Sequence, residues 1–118
     1  MTAWKQFERD AANYATARLQ SMGVDATVTR QASSGLPEDQ GDLFGIPFSA
    51  VQCKATRNID LTVIDEAEKQ AQRKRVPIGV LLQKRRMKPI GRCYVAMSYD
   101  TYLDIVAQLA RDVQKGSE

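Results

Sequence analysis

Segments with the three- to four-residue apolar repeat of helices alternate along this chain with short apolar runs typical of strands. The order of these segments constrains the fold more than any other feature of the sequence. Residues 3–22 carry apolar side chains at three- and four-residue steps, which predicts a helix that ends at Gly23. Two further helices are predicted over about 60–75 and 100–114. Short β-branched or apolar runs predict five strands, at 24–29, 42–44, 48–56, 78–83 and 92–97. The order α-β-β-β-α-β-β-α predicts an α/β (α+β) fold with helices flanking a mixed central β-sheet.

The apolar stripes of the predicted helices define the expected core. The second helix is expected to bury Ile64, Ala67 and Ala71. Ser98 or Asp100 is expected to cap the third helix. The first helix is expected to bury Trp4, Phe7, Ala11, Tyr14, Ala15, Leu19 and Met22. The third helix is expected to bury Tyr102, Leu103, Val106, Leu109, Ala110 and Val113.

Length and composition limit the class of protein. A chain of 118 residues suits one domain, and no apolar run approaches the roughly 20 residues that cross a bilayer. Cys53 and Cys93 lie in apolar runs without neighbouring metal ligands, which predicts reduced, buried thiols. The N-terminus leads straight into a charged segment rather than a signal peptide. We therefore expect a cytoplasmic protein that does not enter membranes and uses no nucleotide cofactor.

The chain contains no histidine, which restricts its possible chemistry. Nucleases with a catalytic histidine, Ser-His-Asp triads and histidine-ligated zinc sites are excluded. Any hydrolysis must use carboxylates, amides, lysine and a hard cation.

The basic residues are concentrated in one stretch. The net charge is only +3, but residues 73–92 hold eight cations and no acidic residue. Such a stretch fits either a polyanion-binding surface or a solvated face. An RNA-binding domain is disfavoured, because no strand carries the aromatic pairs that stack on bases. The eight cations are Arg73, Lys74, Arg75, Lys84, Arg85, Arg86, Lys88 and Arg92.

The segment most informative about function is Gly41-Asp42-Leu43, followed ten residues later by Gln52-Cys53-Lys54. Alternate residues of a strand share a face, so Gln52 and Lys54 point together while Cys53 points to the core. The turn 45–47 brings Asp42 close to them. Glu38 and Asp39 are alternative acidic ligands, in the long polar loop 30–41.

This arrangement resembles the PD-(D/E)XK nuclease signature, in which an acid on one strand precedes an acid-x-lysine triplet on the next. Phe7-Glu8-Arg9 resembles the start of the first helix of archaeal and phage-type Holliday junction resolvases. The loop from Arg30 through Ser33 and Ser34 to Gly35 resembles their loop after the first strand. The resemblance covers residues 4–83 and implies a restriction-endonuclease-like fold.

The resemblance implies a metal-dependent endonuclease that resolves four-way DNA junctions. Mg²⁺ or Mn²⁺ would be held by Glu8, Asp42, Gln52 and the backbone carbonyl of Cys53, and Lys54 would assist the attacking water. Ser34 would assist catalysis. DNA would be held by Arg30, Ser33, Arg73, Lys74, Arg75, Lys84, Arg85, Arg86 and Lys88.

The resemblance also implies a homodimer, since two symmetric cuts need two sites on one two-fold body. The expected interface surrounds Phe44, Ile46, Pro47 and Phe48. A compact nuclease of this kind suits a phage genome and the cytoplasm of a prokaryotic host.

The sequence departs from the signature at Gln52, where the family usually has Glu. An amide oxygen can coordinate a cation but brings no charge, so metal affinity should fall. A catalytically degenerate DNA-binding domain, or a flap, nicking or restriction-type nuclease of the same fold, therefore remains an alternative.

Overall fold

A computed structural model describes residues 3–31 and 40–117 of the chain. Its elements follow the predicted order, with one additional 3₁₀ turn at Ile90–Arg92. The helices are α1 (Ala3–Ser21), α2 (Thr62–Lys74) and α3 (Tyr99–Ser117). The strands are β1 (Thr29–Gln31), β2 (Gln40–Phe44), β3 (Ser49–Lys54), β4 (Ile78–Gln83) and β5 (Tyr94–Ala96).

The five strands form one mixed sheet in the order β1-β2-β3-β4-β5. Strands β3 and β4 are parallel, and α2 is the crossover between them. The other neighbouring pairs are antiparallel. The predicted fold class, a mixed sheet with flanking helices, is confirmed.

The two faces of the sheet are covered by different helices. On one face, Phe7 and Ala11 of α1 pack in a buried cluster with Leu43, Val51 and Cys53. On the other face, α2 lies so close to β4 that a Cβ placed on Gly79 would be 2.7 Å from the backbone oxygen of Ala67. Because side chains alternate along a strand, residues 42, 50 and 52 belong to the α2 face.

Local signals set most of the helix ends as predicted. Gly23 has a φ of 81°, and the N–H of Val24 donates to the carbonyl of Leu19 at 2.9 Å, which ends α1. Ser98 Oγ accepts the N–H of Thr101 at 3.2 Å and caps α3. Asp60 Oδ1 accepts the N–H of Thr62 at 3.1 Å at the start of α2.

The first strand begins where its predicted range ends: β1 covers residues 29–31, so residues 30, 31, 40 and 41, predicted as loop, belong to β1 and β2. Residues 24–28 approach α1 rather than a neighbouring strand, because the Thr16 hydroxyl accepts the N–H of Val28 at 2.8 Å. The amide of Gln20 donates to the carbonyl of Ala26 at 3.2 Å. Residues 24–28 therefore form hydrogen bonds with side chains of α1 instead of with a neighbouring strand. Strands β3 and β5 also end within their predicted ranges.

Some of the predicted core positions are wrong. In α2, Val63 is buried with Ala67 and Ala71, whereas Ile64 is half-buried. Tyr14 of α1 and Met22, just past its end, are 43% and 55% exposed although both were expected to be buried. None of the described helices is long and apolar enough to cross a membrane.

The largest error concerns α3. The stripe expected to be buried is 41–69% exposed at its five large members, and Ala110 is exposed as well. The physical reason is that α1 and α2 already cover the two faces of the sheet. Among the α3 side chains that the structure describes, only Thr101 is buried. The large members are Tyr102, Leu103, Val106, Leu109 and Val113.

Candidate active site

The β2–β3 hairpin brings together two of the predicted site residues. Asp42 and Gln52 are direct partners across the two strands, and their side chains are 5% and 2% exposed. Directly paired residues of an antiparallel ladder project to the same face. The carboxylate and the amide therefore lie side by side beneath α2, as the Asp42 and Gln52-x-Lys54 spacing predicted.

Lys54 lies at the end of β3, where the site approaches the surface. It is half-buried, and its register partners are Gln40 and Gln83. Its carbonyl accepts the N–H of Lys84 at 2.9 Å, which joins the ends of the parallel strands β3 and β4. Lys54 thus lies on the same strand face as Gln52, two residues closer to solvent.

Gln70 is a site residue that the sequence interpretation missed. Its Nε2 donates to Asp42 Oδ2 at 3.3 Å from the buried side of α2. Its Oε1 is buried and accepts no hydrogen bond from the part of the chain that the structure describes. The available signal was its spacing of three residues from Ala67, which places it on the inward face of α2.

Glu8 approaches the sheet from the opposite side. Its neighbour Phe7 packs in the core cluster beneath α1, and Glu8 itself is only 1% exposed. Arg30 of β1 lies beside it, with Nε 3.6 Å from Glu8 Oε1. The structure therefore places Arg30, which was expected to hold phosphate, next to a site carboxylate.

Burial dominates the electrostatics of both carboxyl groups. Burial raises the pKa of Glu8 above its ordinary value although nearby Arg30 lowers it, and the charge of Asp42 raises the pKa further. Burial also raises the pKa of Asp42, against the lowering effects of Gln70 and Lys74. The charge of Asp42 is thus close enough to Glu8 to disfavour its ionisation.

Three buried carboxylate oxygens accept no hydrogen bond from the described residues, although one of them, Oε1 of Glu8, forms an ion pair with Arg30 at 3.6 Å. They are both oxygens of Glu8 and Oδ1 of Asp42. Buried acceptors are normally satisfied, and an exception calls for a physical explanation. The paired carboxylate of Asp42 and amide of Gln52 offer oxygen ligands of the kind that a hard cation such as Mg²⁺ prefers, and Glu8 is the nearest further acid that the electrostatics identify.

This donor set contains fewer acids than many metal centres. The described residues include no group of three His, Cys, Asp or Glu side chains that could hold a metal ion. Cys53 contributes no thiolate, because its side chain is buried in the core and burial raises the pKa of the thiol. A cation at this position would therefore need the amide of Gln52, a backbone carbonyl or water.

The predicted basic residues lie on both sides of the hairpin site. Lys84, Arg85 and Lys88 line a cleft of about 250 Å³ together with Phe7 and the neighbouring polar residues of α1. Arg85 stacks on Tyr94, 4.1 Å from the ring centroid. These residues therefore lie beside the end of α1 that carries Glu8.

The second basic group lies at the end of α2. Lys74 Nζ is 3.9 Å from the centroid of the Phe44 ring, on the same strand face as Asp42. Arg73 and Arg75 flank it and are exposed, as is Arg86 in the turn after β4. One group of cationic residues thus lies near Phe44, and the other follows Lys84, which is hydrogen-bonded to Lys54.

Four predicted or competing site residues, Ser33, Ser34, Glu38 and Asp39, lie outside the described residues. In comparisons with known proteins, no family model, no curated protein and no solved structure matches this chain. The geometry of its own residues therefore carries the functional argument.

Proposed function

We propose that the chain is a metal-dependent DNA endonuclease that hydrolyses phosphodiesters at the Asp42–Gln52–Lys54 site. The observation that carries the proposal is the pairing of Asp42 with Gln52, combined with Oδ1 of Asp42, which is buried and accepts no hydrogen bond from the described residues. Burying charged oxygens in this way is costly unless a cation compensates them. The arrangement agrees with the resemblance to PD-(D/E)XK nucleases.

The proposed roles follow from the positions of the side chains. Asp42 and Gln52 hold the cation directly, and Glu8 contributes from the α1 side, through water if needed. Mg²⁺ or Mn²⁺ in this position would polarise the scissile phosphate and lower the pKa of a bound water. Lys54 orients the attacking water or offsets charge on the phosphate. Gln70 positions Asp42, since its amide donates to that carboxylate.

Substrate is proposed to approach past the more exposed members of the site. Glu8, Asp42 and Gln52 are nearly covered, whereas Lys54 is half-buried and the Arg30 side chain is 22% exposed. The cations at residues 84–88 and at Lys74 would follow the phosphates on either side. Contacts of this kind depend on backbone shape rather than base sequence, and they weaken as salt rises.

Within this class of nuclease, we propose a branched substrate, such as a four-way junction, and a homodimer that cuts it symmetrically. The resemblance to Holliday junction resolvases in Phe7-Glu8-Arg9 and in the Gly41-Asp42 strand favours this substrate. A prokaryotic or phage source and a cytoplasmic location belong to the same proposal.

The test is cleavage of a labelled four-way junction, beside linear duplex and flap controls, with Mg²⁺, Mn²⁺ or EDTA. Paired cuts that require the metal and are lost in Lys54→Ala are expected. Lys69→Ala is a matched control, because Lys69 is an exposed lysine of α2. Preferential cleavage of the flap or the linear duplex would instead assign a flap, nicking or restriction-type nuclease.

The amide at position 52 favours a second candidate function, a DNA-binding domain that has lost catalysis. Gln52 occupies the position at which the resembling family usually has a charged ligand, so the cation is held by fewer acids. Junction binding without cleavage under either metal would support this candidate. Recovery of cleavage in Gln52→Glu would locate the loss at this residue.

A further inference from the structure

Helix α3 presents an apolar seam to solvent. Its large apolar side chains recur at alternating steps of three and four residues, the repeat of a coiled-coil seam, and Gly116 continues that repeat. The five side chains of the seam are 41–75% exposed, and a Cβ on Gly116 would meet nothing within 4 Å. The seam consists of Tyr99, Tyr102, Val106, Leu109, Val113 and Gly116.

The opposite face of α3 is turned toward the body of the molecule. This side of α3, which includes Ile105 and Gln108, lines a groove of about 640 Å³ whose other wall is formed by residues 48, 77 and 78, and Leu109 of the seam borders the same groove. Gln108 also donates to Asp112 at 3.0 Å along this face. Thus a mixed polar and apolar face of α3 looks onto its own domain, and the seam stays largely exposed, with Leu109 at the edge of the groove.

We propose that the seam is covered by α3 of a second copy of this chain, in an antiparallel pair about a two-fold axis. The register that aligns the two repeats places Val106 against Leu109 of the partner subunit at the centre. It places Tyr102 against Val113 of the partner subunit, and Tyr99 against Gly116 of the partner subunit. In an antiparallel pair the first and fourth positions of the repeat face each other, as they do in this register.

Side-chain size and the helix dipoles favour a second copy in this orientation. Gly116, which has no side chain, meets Tyr99 of the partner subunit, and Val113 meets Tyr102 of the partner subunit, so each of these layers combines a larger with a smaller residue. Antiparallel pairing also brings opposite ends of the two helix dipoles near each other, whereas parallel pairing stacks tyrosine on tyrosine.

The exposed area is sufficient for a stable pair. From about 150–250 Å² for each large side chain, the exposed fractions of Leu103 and the five apolar seam side chains correspond to on the order of 600 Å² per subunit. Full burial on two subunits would then remove about 1,200 Å², the lower end of the range of specific interfaces. The patch is also at the upper end of the roughly 300–600 Å² that the largest apolar patch of a soluble monomer usually covers.

This inference is carried by α3 alone and holds whether or not the chain cleaves DNA. It also differs from the interface expected around residues 44–48. Ile46 is half-buried against the core and Phe44 lies under Lys74, so only Phe48, at 71% exposed, is a prominent apolar group there.

Sedimentation equilibrium of the full chain tests the proposal. The wild type is expected at twice its 13.2 kDa mass. Val106→Asp should weaken the dimer Kd by more than about a hundredfold, because each dimer would bury two like charges in adjacent layers at its centre, each against Leu109 of the partner subunit. Gln114→Asp adds the same charge outside the seam and should leave the dimer intact, and circular dichroism should show both variants folded.

Three outcomes would overturn the proposal: a monomeric wild type at about 100 µM, equal effects of the two aspartate variants, or dissociation by Phe48→Asp but not by Val106→Asp. Disulfide cross-linking tests the orientation. A mixture of Tyr102→Cys and Val113→Cys chains should form a mixed disulfide, and neither variant alone should cross-link through the new thiol. Cross-linking of each variant with itself would contradict the antiparallel register.

Discussion

Replacing Asp42 by Asn is expected to stabilise the metal-free protein at neutral pH. The carboxylate is 5% exposed, Oδ1 accepts no hydrogen bond from the described residues, and burial raises its pKa. Leaving a buried acceptor unsatisfied costs about 1–3 kcal/mol. The substituted amide keeps the acceptor for Gln70 and adds a donor for the unsatisfied Gln70 Oε1, but it loses the stronger hydrogen bond to a charged group. The net gain expected in unfolding free energy is about 1 kcal/mol.

The sign of the pH dependence follows from the raised pKa. A carboxyl group whose pKa is higher in the folded state binds its proton more tightly there, so its contribution to stability is complete below the ordinary aspartate value of about 3.9. That contribution is lost as the pH rises through the folded-state pKa. The gain from Asp42→Asn should therefore be small at pH 4 and complete at pH 7.5.

Urea unfolding with EDTA, at pH 4 and at pH 7.5, measures the effect. Asp25→Asn removes an exposed charge and serves as the control, with an expected change within about 0.5 kcal/mol. Mg²⁺ at ten times its Kd should then stabilise the wild type by about 1.4 kcal/mol and leave Asp42→Asn unchanged. A loss of stability in metal-free Asp42→Asn at pH 7.5 would refute the claim that this buried charge is uncompensated without a cation.

Four further outcomes are expected. Gln52→Glu adds a third buried acid, so it should raise Mg²⁺ affinity at least about tenfold, measured by calorimetry, and lower metal-free stability at pH 7.5. Gly79→Ala should cost about 1–3 kcal/mol in urea unfolding, because the new Cβ meets the backbone of α2. A thiol reagent should modify at most one cysteine in the native state and both after unfolding, because Cys53 is buried with a raised pKa. Lys88→Ala should reduce the slope of log Kd against log salt for duplex DNA by about 0.9, and an unchanged slope would remove Lys88 from the DNA-binding surface.

The sequence predicted those features that depend on residues close together along the chain. Gly23 ends α1 and Ser98 caps α3 because each acts on backbone groups within a few residues. Asp42 meets Gln52 because a short turn joins two strands whose side chains alternate with a period of two. The order of helices and strands, and hence the fold class, follows from the same local periodicities.

Only the tertiary structure decided contacts between distant segments. Gln70 reaches Asp42, 28 residues away in the sequence, because α2 packs over β2. Glu8 meets Arg30 because α1 packs against β1 at the edge of the sheet. The apolar pattern of α3 identified an amphipathic helix but not what covers it. Periodicity shows that one face of a helix is apolar. Whether that face is buried depends on which surfaces other elements occupy, and here α1 and α2 occupy the two faces of the sheet.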